Sequence, residues 1–334
     1  MTLLSCLPER APKRGFARLL VRRAGDPRRL AMIVIAGAAG NVGGKIAESL
    51  VAKGHRVRLI GRDRGKLAGL IARGAEAAVG DLGDSAFLTN AFRGADAVFV
   101  LIPPNVGADD FRAYQNRIGE SIAAAVRNSG VPYVVNLSSQ GAHLSKGTGP
   151  IVGLHDQEAR LNSLPGINVL HLRPTYFMEN LLMNIGLIRK MNIMGSAVRG
   201  DVRFAMIAAR DIAAYAAERL VKRDFSGASA VDLLGQRDLS LNEAAAVIGK
   251  KLGRTDLTYV AFPYEDAEKG MTAMGLSADI SRLYIEMSKA LNEGLFAVNI
   301  PRTKENTTPT SIEKFADDFA AAFRASETGS RKIA

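Results

Sequence analysis

Gly37, Gly40 and Gly43 stand three residues apart, between an apolar run at 31–36 and a segment of helical spacing. Glycines so placed allow a tight turn, let the backbone approach a pyrophosphate, and let a helix pack closely on a strand. The amino end of the following helix supplies N–H donors and partial positive charge for phosphates. The loop residues Gly37, Ala39, Gly40, Asn41, Val42 and Gly43 are therefore expected to cradle a dinucleotide. Glycines that only tighten a turn are the alternative, and the strand, turn, helix and second strand around them count against it.

The next chemistry-bearing residues fall at the end of the second strand, in Ile60-Gly61-Arg62-Asp63-Arg64-Gly65-Lys66. A guanidinium at Arg62 and an ammonium at Lys66 suit a 2′-phosphate. An acid in this place binds ribose hydroxyls instead, and Asp63 would serve if the turn differed by one residue. A solvated basic turn is the third reading. The expected cofactor is NADP, as NADPH, with NAD less favoured. Asp81 and Leu82, after the third strand, could meet the adenine edge, or Asp81 could simply hold the turn Gly80-Asp81-Leu82-Gly83-Asp84. Ile102 and Pro103, after the fourth strand, are expected to wall the cofactor.

The elements that must position these residues alternate. Strands are expected at 31–36, 55–60, 75–79, 97–102, 131–137 and 167–172, because each is a short apolar run between turn signals. Helices are expected between them, with Val42, Ile46 and Leu50 on one face of the first. Asp109-Asp110 should cap a long helix that ends at Gly130. Later helices are expected at 210–222, 241–252, 264–270, 277–291 and 311–325, with Asp211 as an N-cap and Thr310 with Glu313 as a capping box. This pattern predicts an α/β fold, a Rossmann-like doubly wound parallel sheet with a smaller helix-rich C-terminal lobe. The expected divisions are a disordered basic extension at 1–31, an NAD(P)-binding domain at 32–175, a substrate lobe at 176–325 and a flexible tail at 326–334.

The 334 residues, 47% hydrophobic and 23% charged, suffice for a large core and exclude wholesale disorder. No uncharged apolar run reaches the ~18 residues of a membrane span. One cysteine, Cys6, excludes an internal disulfide framework and points to a reducing, cytoplasmic setting. The four histidines form no close pair, so no metal site is expected. Of the net charge of +11, residues 1–31 carry +6. A basic extension on a modestly basic body, with no aromatics among the arginines, does not suggest nucleic-acid binding. The extension reads as a disordered segment ahead of a true start at Met32, as a targeting peptide, or as an arm for an acidic partner.

With these residues in place, the chain resembles the NmrA-like family of atypical short-chain dehydrogenase/reductase relatives. The matching pieces are the loop Gly37–Gly43, the Arg62…Lys66 turn, Gly80-Asp81, and Leu170-His-Leu-Arg173-Pro-Thr-Tyr-Phe-Met178-Glu-Asn180. The last stretch is the more specific one, since glycine loops are shared by every dinucleotide fold. The resemblance implies NAD(P) binding, with some members reducing quinones or related acceptors and others sensing the nucleotide without turnover. The related dehydrogenases use a serine and a Tyr-x-x-x-Lys pair. Here no tyrosine is followed four residues later by lysine. Ser138 stands where the family's serine falls, and without the pair it would bond the cofactor or the backbone. His155 lies near where the pair would fall and could donate a proton, or merely cap a helix. Tyr176 could line the acceptor pocket, or be a core tyrosine. Asn180 could orient a ligand or cap locally.

These expectations amount to an NADPH-dependent oxidoreductase acting on a small quinone-like or carbonyl acceptor, with Tyr176 and His155 facing it. The alternative is a non-catalytic NADP-sensing regulator. A small-molecule acceptor is the expected partner, with a homodimer or a regulatory protein as further partners, and neither nucleic acid nor membrane.

Overall fold

A buried strand flanked by helices on both sides of its sheet must be apolar at every position, and Met32–Ala36 is buried throughout. The computed structural model describes residues 31–296 and 300–330, so the expectations for 1–30 and 331–334 lie outside the described residues. The first half supplies β1 (Met32–Ala36), β2 (Arg56–Gly61), β3 (Glu76–Val79), β4 (Ala97–Leu101), β5 (Tyr133–Leu137) and β6 (Asn168–Pro174). The second half adds β7 (Tyr176–Phe177), β8 (Ile193–Ser196), β9 (Phe204–Ile207), β10 (Ala228–Leu233), β11 (Asp238–Leu239) and β12 (Thr258–Ala261). The main sheet runs β10-β6-β5-β4-β1-β2-β3, with all neighbours parallel.

The helices are α1 (Asn41–Ala52), α2 (Ala68–Ile71), α3 (Ser85–Phe92), α4 (Phe111–Ser129), α5 (Val152–Asn162), α6 (Ile185–Met191), α7 (Ala209–Lys222), α8 (Leu241–Leu252), α9 (Tyr264–Ala273), α10 (Ala278–Asn292) and α11 (Ile312–Ser330). Ile33 and Ile35 of β1 point into a core shared with Ile46 and Leu50 of α1 and Ile212 and Leu220 of α7. Met32 and Val34 point the other way, into a core with Phe92 of α3, Ile122 of α4 and Leu161 of α5. Helices on both faces of a parallel sheet make this a Rossmann-like doubly wound fold. Strand order reverses beside β1, between β4 and β2, which opens a crevice at the carboxyl ends of the strands.

A third core, with Met178, Met194, Met206, Ile248, Phe315 and Phe319, holds the helix-rich C-terminal region together. This region is interleaved with the sheet, because α7 and β10 return to it. β10 was not expected, nor were the short strands β7–β9, β11 and β12. Pieces of two to four residues are too short to show an alternating pattern.

Asp110 caps α4 as expected, accepting from Ala113 N at 2.8 Å, and Gly130 ends that helix at φ +72°. Two expected caps are corrected. The N-cap of α7 is Ala208, and its first free N–H, that of Ala209, goes to the Glu179 carboxylate at 3.0 Å. Asp211 is buried and instead accepts from the backbone and hydroxyl of Thr310, at 2.9 and 2.7 Å. Thr310 is thereby withdrawn from its expected capping box, and Ser311 caps α11 by accepting from Lys314 N at 3.2 Å.

Candidate functional site

β1 ends at Ala36 and the chain must reverse at once to start α1 over the sheet edge. Gly37 makes the reversal at φ +64°, where a Cβ would also lie 2.8 Å from Leu101 Cδ2. Gly40 N donates to Gly37 O at 2.9 Å and closes the turn. At Gly43 a Cβ would collide with Gly37 O, and would come within 2.9 Å of Gly37 C and 3.0 Å of Ala36 O. The helix can sit this close to the loop only with glycine there. Val42 is buried in the core, so it offers the loop only its backbone.

Helices α3, α4, α8 and α10 each begin with an Asp or Ser side chain that accepts from the first turn. Helix α1 does not. Its N-cap is Gly40, without a side chain, and its first turn contains no acid. The first-turn N–H groups are thus left for an acceptor from outside the helix. They border a cavity of about 490 Å³ lined by the Ala38–Asn41 loop, Lys45, Lys66 and Arg73, with Glu48 at its side. This cradle of unfilled Cβ positions and free donors fits a pyrophosphate.

The turn after β2 separates the three charges read from the sequence. Asp63 is occupied, since its Oδ1 accepts from Gly65 N at 2.7 Å and shapes the turn. Lys66, exposed, faces the cavity beside Ala39, Gly40 and Asn41. Arg62 is also exposed, and it does not line this cavity. Asp81 accepts from Gly83 N at 2.7 Å through one oxygen, so the turn reading of Asp81 holds for that oxygen. Leu82 and Ile102 are buried together in the α3–α4 core. The Pro103 carbonyl accepts from Tyr114 Oη at 3.0 Å.

Ser138, at the end of β5, is 5% exposed. Its hydroxyl donates to Glu158 Oε1 at 2.5 Å, and its N–H to Leu172 O at 2.8 Å. Arg173 holds the same carboxylate through Nε at 2.9 Å and Nη2 at 2.5 Å. Burial pushes the Glu158 carboxyl up, but the hydrogen bonds from Arg173 and Ser138 outweigh it and hold it below its ordinary value.

His155, half-buried on α5, bonds through Nδ1 to the Ala142 carbonyl at 2.9 Å. A carbonyl only accepts, so Nδ1 carries the hydrogen and Nε2 of the neutral ring is an acceptor. His155 would have to be protonated first to donate from Nε2.

Tyr176 packs in the third core with its ring 5.2 Å from Phe204. Burial, with a lesser push from Tyr259, raises its phenol above the ordinary tyrosine range. No hydrogen bond joins Tyr176 to His155, and neither lines the cavity at the glycine loop. Asn180 is exposed.

Four residues of this region were missed by the sequence reading. Glu158 and Glu179 look like surface acids in sequence, and only their Arg173 and Ala209 partners give them a role. Tyr114 and Arg117 sit on α4, where helical spacing alone reads as core and solvent. Among the described residues no cluster of His, Cys, Asp and Glu could hold a metal, and no helix is long and apolar enough to cross a membrane.

A doubly wound sheet with an uncapped glycine loop at its switch point defines a dinucleotide-type α/β protein. The chain belongs to the NmrA-like family, whose pattern it matches over residues 30–315. It is 30% identical to the NAD(P)H azoreductase of Xenophilus azovorans, across 88% of this chain and all of that one. It is 26% identical to quinone oxidoreductase 2 of Escherichia coli K12, across 79% and 89% of the two chains. Among solved structures it resembles an NADPH-dependent quinone oxidoreductase of Escherichia coli in complex with NADPH. The TM-score is 0.73 at 23% identity, covering 86% of this chain and 99% of the other.

Proposed function

We propose that the protein is an NADPH-dependent reductase of a small quinone-like or carbonyl acceptor. The observation that carries this reading is the uncapped, acid-free first turn of α1 opening on a cavity that Lys66 borders. In it, the Gly37–Gly43 backbone holds the pyrophosphate, Arg62 and Lys66 take the 2′-phosphate, and Asp81, Leu82, Ile102 and Pro103 bound the adenosine half. Ser138 bonds toward the cofactor as an acceptor. The names of the azoreductase and quinone oxidoreductase relatives support both cofactor and acceptor class.

When bound, the nicotinamide supplies the hydride. This chain's own part is to hold it against the acceptor and exclude competing geometry. A quinone takes its proton from water, so the missing Tyr-x-x-x-Lys pair does not bar turnover. Tyr176 and His155 are the side chains we assign to the acceptor, and a cytoplasmic setting is our reading of the single cysteine. NADPH oxidation against a panel of quinones tests the reading, and binding without turnover across the panel would overturn it.

That outcome would favour a second reading, an NADP-sensing regulator with a protein partner. One observation already leans that way. Ser138, the residue nearest in position to a catalytic donor, spends its hydrogen on Glu158.

A further inference from the structure

Beside Asp81, at the other end of the crevice, stand Arg117 and Tyr114 of α4, which have no role in the cofactor site so far. Arg117 of α4 lies over the ring of Tyr114, 5.6 Å from its centroid. Its Nη1 rests so close against Gly83 that any Cβ there would displace it. Tyr114 is itself fixed by its bond to the Pro103 carbonyl. Arg117 Nη1 and Asp81 Oδ1 both lie against the place of the missing Gly83 Cβ, so Asp81, Arg117 and Tyr114 meet at the turn after β3. Among the described residues, neither Arg62 nor Arg117 has a carboxylate within ion-pair distance. Asp81 has one oxygen engaged with Gly83 N.

We propose that Arg117 is a positioning residue for the purine of the bound nucleotide, stacking its guanidinium plane on the base while Asp81 accepts from the exocyclic amine. The inference rests on the dinucleotide reading of the glycine loop. With the pyrophosphate at Gly40–Gly43 and the ribose over Gly61–Arg62, the base falls beyond them, against the Asp81–Gly83 turn. A phosphate fits this spot poorly, because the Asp81 carboxylate would repel it. An aminopurine fits well, since it brings an N–H donor for the carboxylate and a π-face for the guanidinium. Gly83 is then explained, because it is the gap through which Arg117 reaches its place.

The test is isothermal titration of the full chain with NADPH, NADH, 2′,5′-ADP and reduced nicotinamide mononucleotide, which lacks the adenosine half. Arg117→Ala should raise the Kd of the first three alike, by about tenfold, and leave the mononucleotide unchanged. Arg117→Lys should not restore affinity, because it keeps the charge and loses the plane. Gly83→Ala should reproduce the loss with the arginine still present. Arg117 is exposed, and an unchanged thermal melt would verify that the variants fold.

Unchanged Kd values in Arg117→Ala would overturn the proposal. So would a loss confined to the 2′-phosphorylated ligands, or full rescue by lysine. Wild-type protein that binds neither NADPH nor 2′,5′-ADP would sink the cofactor reading itself, which is a distinguishable result.

Discussion

The hydroxyl of Ser138 donates to the carboxylate of Glu158 across 2.5 Å, and Arg173 grips the same carboxylate with two donors. The serine at the strand end is thus oriented by a buried ion pair. Toward any other neighbour it can only accept, so it suits an N–H or O–H of a ligand and not a developing oxyanion.

Removing one member of this pair should be costly. Arg173 and Glu158 side chains are 19% and 6% exposed, so Glu158→Ala leaves a guanidinium largely out of water without its partner. A loss of about 3 kcal/mol is expected, read as a lowered urea midpoint at unchanged slope. Replacing both residues by methionine should cost less than the single change. Wild-type stability in Glu158→Ala would refute the role given to the pair.

The neighbouring His171 makes stability depend on acid. Its Nδ1 accepts from Asn136 Nδ2 at 3.0 Å and its Nε2–H donates to Asn162 Oδ1 at 2.8 Å, which defines a neutral ring. Burial drives its pKa down to about 4, with Glu158 pulling up and Arg173 pushing down. The folded value lies below the ordinary 6.5, so this contribution is whole above 6.5 and is lost as pH falls toward about 4. The loss is roughly 3 kcal/mol. Glu158, also depressed, adds a further loss below its ordinary 4.5. His171→Asn should flatten the decline between pH 6.5 and 4 in melting experiments, and an unaltered slope would contradict the assignment.

The glycine loop offers a contrast between adjacent positions. A methyl at Gly43 collides with backbone that cannot move without opening the loop. At Gly44 the nearest atom, Ala38 O, is 3.4 Å away. Gly43→Ala should abolish measurable NADPH binding and lower stability by about 1–3 kcal/mol, while Gly44→Ala should bind within a few-fold of wild type. Equal affinities would remove the loop from the cofactor site.

Arg62→Ala and Lys66→Ala should each raise the Kd for NADPH by about tenfold and leave NADH nearly unchanged, because a charge-assisted bond to the 2′-phosphate is lost. Both cations would hold the same 2′-phosphate, so their effects in the double variant should fall short of additive. Equal losses for both cofactors would exclude a 2′-phosphate role.

Six of the seven strands of the main sheet and the glycine loop were legible in the sequence because continuous apolar runs and glycine spacing are local signals, whereas β10 (Ala228–Leu233), exposed over its first half, was not. β1 and the cap at Asp110 lie where those signals placed them. The site's polar wiring was not legible. Asp81 and Asp63 turned out to hold their own loops by two-residue hydrogen bonds, and Asp211 found Thr310, 99 positions away in the chain. Glu158 looks like any helical glutamate until β6 brings Arg173 beneath it. Such long-range pairings leave no periodic trace, so the elements could be read and their cross-links could not.

The return of α7 to α1 has a bearing on how the chain is made. The apolar face of α1, with Ile46 and Leu50, is completed by Ile212, Ala216 and Leu220, which leave the ribosome ~160 residues later. The edge strand β10 emerges later still. Nascent protein therefore carries a half-covered sheet for much of its synthesis, with sticky surface and an unpaired β6 margin available to other chains. Slowed translation over the first two hundred residues, or a stop before β10, should make this protein a client of holding chaperones.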